Sequence, residues 1–193
     1  MSPLSRLLSV TAASALVVVA IACTAEPAAE NTPPVVLHSQ AGATIRTGDQ
    51  IAQLRAAIAP YRRLEAAKAA GWKDQITTCW YHGGMGAMGY HFAEAARLDG
   101  TVDRLKPEAL VYEPMKSGEY KLGAVEYIVP IAKWTGAKPP RLYDREFDRN
   151  DALGLYVMHV WLFSENPAGI FAAWNPKVSC QFAAESEDRG PAH

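Results

Sequence analysis

The chain has 193 residues, 49% of them hydrophobic and 20% charged, the proportions of one globular domain rather than of a disordered or multidomain protein. Its 19 Lys and Arg nearly balance 20 Asp and Glu, for a formal net charge of −1. No broad basic surface can be built from that balance, which argues against a nucleic-acid partner.

Residues 1–6 carry one positive charge, residues 7–22 are apolar or small, and Ala20-Ile21-Ala22 precedes Cys23. This order predicts a cleaved signal peptide over residues 1–22, because the apolar run is short for a bilayer span and no basic stop-transfer cluster follows it. Ala20-Ile21-Ala22-Cys23 resembles a bacterial lipobox. Cys23 is therefore the expected lipidation site, and the membrane, reached through an N-terminal lipid anchor, an expected partner. Ordinary cleavage near Ala22 or after Ala25 is the competing reading. Either way the protein is expected to be exported, to the periplasm or the cell surface. In such an oxidising compartment Cys79 and Cys180, the two cysteines of the body, are expected to form a disulfide.

Residues 23–43 mix Ala, Pro, Glu, Asn and Ser and read as a flexible tether. A single domain is expected over residues 44–183, with a disordered tail over 184–193. Thr47 offers a helix N-cap, Asp49 a carboxylate in the first turn, and Ile51, Leu54, Ala57 and Ile58 recur at helical spacing. Pro60 interrupts this helix, Leu64 and Ala67 resume it, and Gly71 stops it. Leu110-Val111-Tyr112 and residues 122–129 are rich in strand formers around Pro114 and Ser117-Gly118, predicting an antiparallel hairpin. Residues 155–163 form a third, continuously apolar strand broken only by His159, expected near the centre of the sheet. Residues 134–150 read as an irregular connection. The expected fold class is thus α+β, with N-terminal helices packed on an antiparallel β-sheet.

The chemistry-bearing residues are few. His159 shares a strand face with Val157 and Trp161, and Glu126 shares one with Ala124 and Ile128; buried among such neighbours, an imidazole or a carboxylate needs a partner. Gly83-Gly84-Met85-Gly86-Ala87-Met88-Gly89 precedes Tyr90-His91. It lacks the Gly-Lys-Ser/Thr ending of a P-loop and reads instead as a tight loop that delivers His91 against the sheet. His91, Glu126 and His159 then form a candidate two-histidine, one-carboxylate metal site for a divalent transition metal such as zinc, iron, copper or manganese, with a coordination position left open. His82 and Tyr112 stand in reserve as ligands or outer partners. Met85 and Met88 add a narrower idea, that the glycine-rich segment holds copper. The competing reading makes the three residues a structural, metal-free network in an envelope ligand-binding or interaction module.

The stretches Met88-Gly89-Tyr90-His91, Lys106-Pro107-Glu108-Ala109-Leu110-Val111-Tyr112-Glu113-Pro114, Val125-Glu126-Tyr127, His159-Val160-Trp161, Asn166-Pro167 and Trp174-Asn175-Pro176 together resemble a family of uncharacterised exported bacterial lipoproteins. The resemblance spans roughly residues 71–180. It implies that His91, Glu126 and His159 belong to recurring motifs and supplies no activity. Trp80, Tyr81, Tyr90, Tyr112, Tyr127, Trp161 and Trp174 are either the lining of a pocket for a small-molecule ligand or a packed core. A nucleophilic hydrolase is disfavoured, since no Gly-x-Ser-x-Gly elbow is present. Glu94, Asp99, Glu108, Glu113 and Glu126 allow a paired-carboxylate glycosidase on count alone, but carboxylates at these spacings usually face solvent.

Overall fold

The computed structural model describes residues 45–189; the expected signal peptide, Cys23 and the tether lie outside the described residues. Helix α1 (Thr47–Ile58) buries Ile51, Leu54 and Ile58, the stripe that the 3.6-residue period predicts. Pro60 ends it in a 3-10 turn (Ala59–Tyr61), and α2 (Leu64–Ala69) buries Leu64 and Ala67 before Gly71 turns the chain at φ 117°. Thr47 lies in the first turn and donates to the Asp144 carboxylate rather than capping the helix, whose N-cap is Arg46.

The rest is mostly β, so the α+β expectation holds only in its coarser part: short N-terminal helices against a large sheet. Ten strands follow: β1 (Asp74–Gln75), β2 (Cys79–His82), β3 (Gly86–Ala93), β4 (Ala109–Pro114), β5 (Tyr120–Pro130), β6 (Arg141–Leu142), β7 (Arg145–Glu146), β8 (Asp148–Asn150), β9 (Leu155–Trp161) and β10 (Ser186–Asp188). Seven run in the order β10-β2-β3-β4-β5-β9-β8, and β1 pairs with β3 off this path. All pairs are antiparallel except β10 with β2. Register shifts between Trp80 and Tyr81 and between Val111 and Tyr112 mark bulges, which increase local twist and curl the sheet.

The β4–β5 hairpin matches expectation; β9 forms where a third strand was expected but lies one strand from the end of the sheet, between long β5 and short β8, rather than at its centre. Three readings need correction. The segment over residues 134–150 is not wholly irregular: β6 and β7 form a hairpin whose turn residues, Tyr143 and Asp144, take positive φ, and β8 pairs with β9. The expected tail contributes β10, because the Cys79–Cys180 disulfide holds the C-terminal segment beside β2. Most importantly, the glycine-rich stretch is largely a strand. Only residues 83–85 turn, and His91 sits inside β3. Gly86 and Gly89 serve close backbone approach: a Cβ on Gly86 would stand 2.1 Å from the Asn175 carbonyl oxygen, and one on Gly89 2.5 Å from that of Tyr112.

One face of the sheet carries Phe92, Leu110, Tyr112, Val125, Tyr127 and Met158, which pack with α1 and α2 into the main core. Tyr112 ties the layers together, its hydroxyl donating to the Tyr61 carbonyl at 2.6 Å. No helix among the described residues is long and apolar enough to cross a membrane.

Candidate metal centre

Strand register builds the site on the other face. Ala93, Ala109, Glu126 and His159 are successive Cα partners across β3, β4, β5 and β9, so their side chains point to the same side. His91 lies two residues from Ala93 and shares that side. One whole strand separates His91 from Glu126, about 10 Å between backbones at a spacing of roughly 4.8 Å per strand. On this side the strand between presents Ala109, the partner of Glu126, and Val111, the partner of His91, and the two side chains meet across it on a diagonal. Ala93, Ala109 and Ile128 form a small apolar cluster beside the site, with Leu98 and Leu155 packed against it.

The three polar ends converge. His91 Nε2 stands 3.2 Å from His159 Nε2 and 3.3 Å from Glu126 Oε2, while His159 Nδ1 is 3.6 Å from Glu126 Oε1. One ligand atom from each residue falls within 4.8 Å of the others, and all three residues are buried. The imidazoles meet edge to face, with ring centroids 5.5 Å apart, and the Trp80 ring lies 6.0 Å from that of His91.

Burial decides the charge state. It lifts the Glu126 carboxyl to about 8, with the neighbouring Glu108 charge adding to the rise. It lowers His159 to about 4, and it holds His91 well below its ordinary value, His159 contributing in the same direction. Without a cation at neutral pH the centre is therefore two neutral imidazoles, hydrogen-bonded to one another, and a protonated carboxyl beside them, an uncharged set. A cation reverses the preference of Glu126, since a metal favours the ionised carboxylate.

Tetrahedral geometry offers a direct comparison. Ligands about 2.0–2.1 Å from one ion stand about 3.3–3.4 Å apart. The two contacts of His91 Nε2, at 3.2 and 3.3 Å, already have nearly that spacing.

The reserve residues sit elsewhere. Tyr112 faces the main core, and His82 packs against Trp174 at 5.8 Å and lines a 340 Å³ cavity with Tyr81, Val178 and Cys180; no contact links either to the three converging groups. Met85 is exposed in the β2–β3 turn and Met88 is buried in β3. Of the seven aromatics weighed as a pocket lining, Tyr90, Tyr112, Tyr127, Trp161 and Trp174 are buried as packing. Among the carboxylates, Glu108 is buried and lifted to about 7 by burial, against the opposing hydrogen bond from the Ile128 amide at 2.9 Å. Glu113 is satisfied by Ser164 and by Lys121 at 3.3 Å.

Two residues at the site carried no sequence signal. Thr77 holds His91 from behind, its Oγ1 lying 3.0 Å from Nδ1 and accepting the His91 backbone N–H at 3.1 Å. Ala109 is the cross-strand partner of Glu126 on β4. Pairing of β1 with β3, extended by the Ile76 amide donating to the His91 carbonyl, is what brings Thr77 there. No family model, curated protein or solved structure matches the chain.

Proposed function

We propose that this is an exported, lipid-anchored envelope protein that binds a divalent transition metal through His91 Nε2, Glu126 and His159. The observation that carries the reading is the convergence of three buried ligand groups, one atom from each within 4.8 Å of the others, with His91 Nε2 standing 3.2 Å from His159 and 3.3 Å from Glu126, close to the spacing around one tetrahedral ion. Neutral imidazole and carboxylate suit zinc, iron, copper or manganese, and three protein ligands leave a position for water or a small ligand. Export and anchoring rest on residues 1–23 of the sequence, and a disulfide between Cys79 and Cys180 fits an oxidising compartment.

Elemental analysis of protein purified without chelators or metal-affinity resin tests the metal. One equivalent should co-purify or be taken up, and His91→Ala, Glu126→Ala and His159→Ala should each lose it with the disulfide intact. Uptake that is unaltered in all three variants would sink this reading. Anchoring is tested separately: Cys23→Ala should move the protein from the membrane fraction to the soluble one.

A second reading has its own support. The same three groups lie close together without an ion, His91 and His159 sharing a hydrogen bond at 3.2 Å and Glu126 Oε2 standing 3.3 Å from His91, as a buried network that would specify the alignment of β3, β5 and β9. Wild-type protein that takes up none of the four metals would favour it.

A further inference from the structure

A neutral imidazole has one N–H and one lone pair, and only the nitrogen bearing the lone pair can bind a metal. For His91 that choice is made behind the site. Its Nε2 faces His159 and Glu126, and its Nδ1 faces the Thr77 hydroxyl at 3.0 Å.

We propose that Thr77 sets the tautomer of His91, accepting a hydrogen bond from Nδ1–H and so leaving the Nε2 lone pair directed into the site. This rests on the metal reading above and names Thr77 as a positioning residue for it. Thr77 Oγ1 takes the His91 backbone N–H as well, at 3.1 Å, so one oxygen grips both the main chain and the ring of the same residue and fixes the ring's direction. Metal-binding histidines in general hold their second nitrogen this way. A valine at 77 has the same shape and no acceptor, and would leave Nδ1–H buried without a partner. The ring escapes by moving its proton to Nε2, where Glu126 Oε2 at 3.3 Å and His159 Nε2 at 3.2 Å can both accept. That proton occupies the lone pair which the metal needs.

The test uses metal-free, full-length mature protein with 15N-labelled histidine. Long-range 1H–15N spectra should place the His91 proton on Nδ1 in wild type and Thr77→Ser, and on Nε2 in Thr77→Val and Thr77→Ala. Zinc affinity, titrated against a competing chelator, should fall about ten- to a hundredfold in the valine and alanine variants and recover in the serine variant. A His91 proton on Nε2 in wild type, or zinc affinity unchanged in the valine and alanine variants, overturns the role of Thr77. Wild type that takes up no zinc, iron, copper or manganese overturns the metal reading instead, and the spectra then still decide whether Thr77 sets the ring.

Discussion

Glu126 is cheaper to bury with its proton than without it, and that preference gives the molecule a pH profile. Its carboxyl holds the proton up to about 8 in the fold against an ordinary value of 4.5, and Glu108 holds its own to about 7. Both raise the proton affinity of the folded state, so their contribution to stability falls as pH rises above about 4.5. His91 and His159 act in the opposite direction. They are neutral in the fold and protonated in the unfolded chain below 6.5, so their contribution improves with pH until that value. Between about pH 4.5 and 6.5 the two trends oppose one another; above 6.5 only the carboxyls still titrate. Metal-free protein is therefore expected to lose stability between pH 6.5 and 8, by about 2 kcal/mol from Glu126 alone. Urea unfolding across that range should show the loss, and Glu126→Gln should flatten it to what Glu108 contributes. A wild-type profile that rises through the window contradicts the assignment. At Gly89 the constraint is steric: φ is 106° and a Cβ would strike the Tyr112 carbonyl. Gly89→Ala should destabilise by roughly 2–4 kcal/mol, read from the urea midpoint at unchanged slope.

At the scale of elements, β4 is the floor on which the site is spread. Ala109→Leu adds bulk beside Glu126, its cross-strand partner on the site's side of β4, and it should abolish metal uptake while the core packed by α1 and α2 keeps the protein folded. Circular dichroism with metal analysis separates these outcomes, and full metal occupancy in the leucine variant would refute the crossing geometry. The disulfide acts on a different element. It joins Cys79 at the start of β2 to Cys180 across 101 residues, and β10 pairs with β2 from Ser186 opposite Cys79. Replacing both cysteines by alanine should cost up to about 4–5 kcal/mol on the chain-entropy view. Hydrogen exchange should quicken first in β10, a three-residue exposed strand paired with β2.

For the whole molecule, the proposed ion would link strands that are far apart in sequence: β3, β5 and β9 meet at one point through His91, Glu126 and His159. Binding confined to the folded state stabilises by mass action, about 2.7 kcal/mol at a hundredfold excess over Kd. Thermal unfolding should accordingly shift upward on adding metal. The shift should grow from pH 6 to pH 8, because the ion displaces the Glu126 proton and that displacement becomes easier as pH rises. A shift that shrinks over this range would show that Glu126 is not among the ligands.

His159 and Glu126 were legible in the sequence for a simple reason. Each is a lone polar residue in an apolar strand, and a period of two assigns its face without knowledge of any partner. The helical stripe of Ile51, Leu54 and Ile58 was legible in the same way, as was the pairing of the only two cysteines in the body. His91 was recognised as a candidate but assigned to a loop, since glycines that permit close packing inside a strand look the same in one dimension as glycines that permit a turn. Thr77 and Ala109 could not be found at all. Their roles depend on register across β1, β3, β4 and β5, and a shift of one residue would turn either to the opposite face. Local periodicity thus determined which side chains are buried and on which face of their own strand. The tertiary structure alone decided which of them meet, because a contact between residues 91, 126 and 159 is set by strand order and register.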